Sequence, residues 1–304
     1  MLLALFCAPA LAGDDDFFFV GGGLAIRPAY TANTFFLGGE AEADLSFKSG
    51  MVGGRLELDF QGSVMPTLDY VPVLPDVPVI NIVRPEWAMV EVTGESWAAR
   101  GGIVNPAFGL EDWDDWALYL PTHGQYYAFT PARMAGAEFA WTTGDGGPTI
   151  ALGGGLDLDW EMPIVEANIT AEGDSYGVWS GVAVYPADQR YAAVLGAEAY
   201  PAEVVTLALG GMAGLDHASP FANVSVSGVF LPAGMVNPTV RVEGSFDPDA
   251  VTGAAPFAAS VGGAVAPTDW IKILVEGKML LVGDEIVPGA YASLCVYRVA
   301  PPEE

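Results

Sequence analysis

The 304 residues carry 38 Asp and Glu against 11 Lys and Arg, a net charge of −27, yet 52 % of the chain is hydrophobic and its mean hydropathy is +0.36. The acid excess excludes nucleic acid as a partner, because binding there needs a basic face that releases counterions. The hydrophobicity excludes disorder driven by charge, and the two facts together are unusual for a soluble globule.

In chain order, residues 1–12 read as a secretory signal peptide. Met1 to Leu11 is apolar, and Ala10-Leu11-Ala12 offers a small-x-small cleavage site before Gly13. Cys7 follows the bulky Phe6, which argues against lipoprotein processing. Cleavage leaves Cys295 alone, without an intrachain disulfide partner. Residues 13–304 contain no linker, low-complexity block or composition shift, and read as one domain.

Period-two alternation of polar and apolar side chains then runs through the chain, the mark of strands with one wet and one apolar face. Glu40, Glu42 and Asp44 alternate with Ala41, Ala43 and Leu45. Arg55, Glu57 and Asp59 alternate with Leu56, Leu58 and Phe60, and Leu156-Asp157-Leu158-Asp159-Trp160 follows suit. Later examples are Val240-Arg241-Val242-Glu243 and Ile271-Lys272-Ile273.

Strands are expected near 17–26, 35–47, 51–61, 82–93, 96–104, 133–143, 148–159, 175–185, 190–200, 203–212, 221–231, 236–246, 257–266, 269–281 and 287–298. Single-chain bacterial barrels have an even number of strands, so these segments predict about 14, within 12–16. Two connections are long: 62–81, rich in Pro, and 105–132, rich in Trp, Tyr and acid. The longest stretches without a charge, His217–Val240 and Ala250–Thr268, are broken by Pro and Gly and supply no helix of ~20 apolar residues. A hydrophobic chain without such a helix meets the requirement for a membrane barrel, because only helices and closed barrels satisfy the backbone in lipid. The fold class expected is all-β: a transmembrane, antiparallel, up-and-down β-barrel. Aromatics near strand ends (Phe17, Phe18, Phe19, Trp97, Trp160, Tyr185, Tyr191, Tyr200, Trp270, Tyr297) are expected to form interfacial girdles. Gly21-Gly22-Gly23 and Gly153-Gly154-Gly155 either leave lumen space or allow tight curvature.

Arg100-Gly101-Gly102-Ile103-Val104-Asn105-Pro106-Ala107-Phe108-Gly109-Leu110-Glu111 resembles the strand-to-loop segment of the phosphate-selective and OmpL-like porin families, and Phe129-Thr130-Pro131-Ala132-Arg133-Met134-Ala135-Gly136 is similar to the strand start that follows that loop. The resemblance covers residues 97–141 and implies an outer-membrane porin. Two departures stand out. Ala107 separates Pro106 from Phe108, and the basic lining that phosphate selectivity implies is scarce.

The expected pore-lining residues are Arg55, Glu57, Asp59, Glu40, Glu42, Asp44, Asp157, Asp159, Arg241, Glu243, Lys272, Glu276 and Lys278. Acid outweighs base among them, so a cation preference follows. In the long acidic connection, Glu111, Asp112, Asp114 and Asp115 are candidates for a constriction loop. Divalent-cation binding through hard oxygens and a solvated loop without a specific task are the alternatives. Catalysis finds little footing. His123 and His217 lie in different loops, no Gly-x-Ser-x-Gly elbow exists, and there is no phosphate loop, dinucleotide fingerprint or Cys/His metal spacing.

The sequence therefore predicts a passive channel in a Gram-negative outer membrane, with no cofactor. Its partners are outer-membrane lipid and lipopolysaccharide, small hydrophilic solutes or cations, and other copies of itself. The alternative is a plugged structural or adhesive barrel whose long loops bind partners.

Overall fold

The computed structural model describes residues 17–31, 34–63, 82–105, 120, 133–144, 147–202, 204–232, 234–249, 253–268 and 270–297. Among them are seventeen β-segments and no helix. In chain order these are β1 (Phe17–Gly21), β2 (Gly23–Thr31), β3 (Thr34–Ser49), β4 (Val52–Ser63), β5 (Ile82–Thr93), β6 (Trp97–Val104), β7 (Met134–Thr142), β8 (Thr149–Asp157) and β9 (Met162–Gly173). They continue with β10 (Tyr176–Tyr185), β11 (Arg190–Ala202), β12 (Val205–Asp216), β13 (Ser219–Phe230), β14 (Val236–Phe246), β15 (Phe257–Thr268), β16 (Ile271–Val282) and β17 (Glu285–Tyr297).

Each segment from β2 onward pairs antiparallel with the next, and β17 pairs back onto β2, Tyr297 opposite Gly23. The ring is therefore closed. β1 and β2 form one stave, because both pair with β3 in a single register, Phe17 opposite Lys48 and Leu24 opposite Ala41. Gly22 joins them where a Cβ would lie 2.4 Å from the Glu42 carbonyl oxygen, so no other residue fits there without moving β3. The barrel has 16 staves rather than the expected 14.

One omission accounts for the difference from the fifteen expected segments: β9. In Met162-Pro163-Ile164-Val165-Glu166, Ile164 is buried and Val165 exposed, so two adjacent apolar residues face opposite sides. That pair masks the period-two signal, and Pro163 looks like a breaker although it points outward, where its missing N–H is tolerated at the start of the segment.

The chain is inside-out relative to a soluble globule. Along β14 the exposed positions include Val236, Val240, Val242 and Phe246, while Asn237, Thr239, Arg241 and Glu243 are buried. The same holds around the ring: Leu195 is 68 % and Val261 64 % exposed, whereas Asp157 and Glu243 are 1 % exposed. Apolar side chains cover the outer wall and polar ones the inner, as lipid outside and a polar interior require. Segments of 9 to 16 residues from β2 to β17, bar the eight of β6, match the length a tilted membrane strand needs.

The connections are unequal at the two ends. The start of β1, the end of β17 and short turns such as Gly50-Met51 and Asp174-Ser175 lie at one end. The opposite end, here the long-loop end, carries 64–81, 105–133 and 247–256. Val224 is 52 % exposed at the middle of β13, with its neighbours Asn223 and Ser225 turned inward. Val224→Arg is expected to cost about 2–4 kcal/mol of folding free energy in vesicles. Ser225→Ala should cost under ~1 kcal/mol, and denaturant titration of the refolded protein compares the two.

Candidate functional site: the inner wall

The β3–β4 hairpin turns a dense acidic patch inward. Its register sets Glu42 opposite Asp59, Asp44 opposite Glu57 and Ser46 opposite Arg55. The carboxylates of Glu40, Glu42 and Asp59 lie within 4.8 Å of one another. Like charges directly opposite destabilise a sheet, so cations must intervene. Arg27 donates to Glu40 Oε2 at 2.7 Å, and Arg55 donates to Glu57 Oε2 at 2.5 Å with Asp44 at 3.7 Å.

A β-bulge follows in β5. Glu57 pairs with Trp87 and Leu58 with Pro85, which leaves Glu86 as the extra residue. Glu86 is buried, and two guanidinium groups approach the Trp87 ring, Arg55 at 5.1 Å and Arg100 at 5.9 Å from its centroid. Cation–π contact of this kind holds both arginines against the wall. Arg100 has Glu91 opposite it on β5 and Glu138 opposite it on β7, and its Nε donates to Glu138 Oε1 at 2.8 Å. The row continues through Gly153 on β8 to Glu166 on β9. A Cβ at Gly153 would sit 2.5 Å from Glu166 Oε1, so this glycine makes room for a carboxylate.

A second charged sector occupies β14–β16. The Arg241 guanidinium lies 3.5 Å from both Glu243 Oε2 and Glu276 Oε1, and Lys272 is buried nearby in the same wall. These charges are deeply withdrawn: the side chains of Glu243 and Glu276 are 0 % exposed.

At the long-loop end, Asp157 acts as a knot. Its Oδ1 accepts the backbone N–H groups of Asp159 and Trp160 at 2.9 and 3.0 Å, and its Oδ2 accepts the Tyr185 hydroxyl at 2.7 Å. Trp160 stacks on Tyr185 with centroids 5.2 Å apart, and Arg190 lies 4.1 Å over the Trp160 ring. Inward apolar residues, among them Val104, Met134, Ile164, Met212 and Phe221, pack together on the same side of the wall. Arg133, one residue before β7, bonds Asp159. Burial works against its charge, but the hydrogen bond and charge of Asp159 outweigh burial and raise its pKa.

The sequence matches no family model and no curated protein. Solved structures do match. A Salmonella typhi OmpF in complex with daunomycin aligns over 95 % of this chain and 100 % of its own at a TM-score of 0.69 and 12 % identity. The chain has the porin fold. A triple mutant of the Rhodopseudomonas blastica porin aligns over 92 % of this chain and 100 % of its own, with a TM-score of 0.64 and 11 % identity. The trimer form of OmpT, an outer membrane protein of Vibrio cholerae, covers 93 % and 100 % with a TM-score of 0.64 and 10 % identity. Together with the lipid-facing outer wall, these place the chain among transmembrane barrels of the outer-membrane type.

Of the thirteen wall residues expected from sequence, Glu40, Glu57, Asp59, Asp157, Arg241, Glu243, Lys272 and Glu276 are buried on the inner face, and Glu42, Asp44, Arg55 and Lys278 are half-buried there. Asp159 is a correction. β8 ends at Asp157, so Asp159 stands in the following turn, exposed and bound to Arg133. Trp160 and Tyr185 are also corrected from girdle to interior, whereas Trp97, Tyr191, Tyr200 and Trp270 are exposed. Glu111, Asp112, Asp114 and Asp115 lie outside the described residues.

Alternation missed Arg27, Glu86, Trp87, Glu91, Glu138 and Glu166. Glu138 lies among Ala, Gly and Phe, where small residues blur the pattern, and Glu86 sits in a bulge that breaks parity. Tyr185→Phe leaves a buried oxygen of Asp157 without its donor and is expected to cost about 1–3 kcal/mol. Asp157→Ala releases three donors and should cost more. Unfolding midpoints in detergent or vesicles test the order.

Proposed function

We propose that the protein is an outer-membrane porin: a passive diffusion channel for small hydrophilic solutes with a preference for cations. The observation that carries this reading is the closed 16-stave barrel whose inner wall is polar and acid-rich. Beside the expected wall residues stand the acids Glu86, Glu91, Glu138 and Glu166 and the bases Arg27 and Arg100, with Arg190 paired to Asp216 at the rim. An acidic wall raises the local cation concentration and repels anions. No reacting group has a role in this mechanism; solutes move down their own gradient.

The route follows the wall from β2 to β7. There the arginines and Asp44 keep contact with water, 33 % for Arg55, 22 % for Arg100, 19 % for Arg27 and 15 % for Asp44, while Glu138 is buried beneath Arg100. The β14–β16 sector, closed to water at Glu243 and Glu276, serves structure rather than transit. Within this reading Glu111, Asp112, Asp114 and Asp115 add negative charge at a constriction. Outer-membrane lipid and lipopolysaccharide surround the apolar wall, and the trimer named for the Vibrio cholerae neighbour favours a homo-oligomer.

The complete burial of the Glu243 and Glu276 side chains in the β14–β16 sector also favours a second reading, a plugged barrel that serves as a surface structure. A planar bilayer under a KCl gradient separates the two. The porin reading predicts stepwise conductance and a cation-directed reversal potential. Asp44→Asn with Glu42→Gln should move that potential toward zero, and Glu243→Gln should leave it in place. Persistent closure would establish the plugged barrel, and an anion-directed potential would overturn the charge argument.

A further inference from the structure

Two tight turns stand side by side at the long-loop end, 186–189 between β10 and β11 and 217–218 between β12 and β13. They bring together Asp188, Asp216 and His217. Arg190 and Asp216 share the inward parity of the buried Ala192 and Met212 on their strands, so the group sits at the rim of the lumen.

We propose that Asp188, Asp216 and His217 form a binding site for a divalent transition-metal ion at the mouth of the barrel. Each residue presents one donor atom, and the three atoms lie within 4.8 Å of one another. His217 Nε2 is 3.4 Å from Asp188 Oδ1 and 4.0 Å from Asp216 Oδ1. Two ligands on one tetrahedral ion, each ~2.1 Å from it, stand about 3.4 Å apart. Of the three donor pairs, His217–Asp188 already has that spacing, His217–Asp216 needs to close by a fraction of an ångström, and Asp188–Asp216 lies within 4.8 Å.

The donor chemistry selects the ion. An imidazole with two carboxylates suits Zn²⁺, Ni²⁺ or Fe²⁺, whereas Ca²⁺ and Mg²⁺ take oxygen ligands. The supporting shell is present too. Arg190 donates to both oxygens of Asp216 at 3.0 Å each and lies 3.5 Å from Asp188 Oδ2. A carboxylate has about four acceptor positions, so Asp216 Oδ1 can hold an N–H and a metal together. Asp188 divides its work, with Oδ2 toward Arg190 and Oδ1 toward His217. Arg190 is itself fixed by the Trp160 ring. The carboxylates are therefore oriented before an ion arrives.

Access and charge set the strength. The His217 side chain is 67 % exposed, which leaves room for water ligands. Two carboxylates and one guanidinium give the site a charge of −1 with neutral imidazole, and the guanidinium opposes the incoming ion. Binding is thus exchangeable, and a bound ion changes the rim from negative to positive.

The test is calorimetric titration of ZnCl₂ into the refolded full chain in detergent, with Co²⁺ absorption as a spectroscopic signature of coordination. One ion per chain is expected, undisplaced by excess CaCl₂. His217→Asn, which tolerates the positive φ of 55° at this position, and Asp188→Asn should each weaken binding at least about tenfold. His123→Ala should bind as the wild type does. No stoichiometric binding, wild-type binding by His217→Asn, or loss of binding in His123→Ala overturns the site. A conducting barrel that fails to bind zinc refutes the metal site alone, and a zinc-binding barrel that never conducts refutes the channel alone.

Discussion

A peptide N–H or C=O that crosses hydrocarbon without a partner costs several kcal/mol, so a membrane sheet can have no edge. In this chain the demand falls on one pairing, β17 with β2, which joins the two ends of the sequence. All other neighbours in the ring are consecutive hairpins. The seam converts a long meander into a structure that lipid can tolerate, and the outer wall of Val, Leu, Ile and Phe has a driving force only once that wall is continuous.

Closure also dictates what happens inside. Polar side chains are turned away from lipid into a space where their charges must be matched. The solution is local and repeated: Arg27 with Glu40, Arg55 with Glu57 and Asp44, Arg100 with Glu138, Arg241 with Glu243 and Glu276. Removing one partner of a buried pair strands the other, which makes these arginines structural as well as electrostatic. Bases are few in the sequence, and these four are held against acids.

How much of this is legible in sequence depends on whether a strand keeps its period. β4 and β14 do, and their inward Glu57, Asp59, Arg241 and Glu243 are readable directly. β9 does not, because Ile164 faces in beside Val165 facing out, and with it Glu166 disappears from view. Parity also says nothing about where a strand stops, which is why Asp159 belongs to a turn and not to the wall. Rows across strands are invisible as well. The ladder from Glu91 through Arg100 and Glu138 to Glu166 spans more than seventy residues, and His217 meets Asp188 only because β11 and β12 bring their turns together. Sequence spacing holds no trace of either.

The even stave count has a logistical side. It leaves the start of β1 and the end of β17 at the end with the short turns, so insertion led by the other end would carry every long connection across the membrane. The burden is uneven: the hairpin of β6 and β7 drags 105–133, with Glu111, Asp112, Asp114 and Asp115, whereas that of β16 and β17 drags only Gly283 and Asp284. Assembly from the C-terminal side would translocate the lightest cargo first and meet the acidic segment only after a large apolar wall had formed to hold the intermediate in the bilayer.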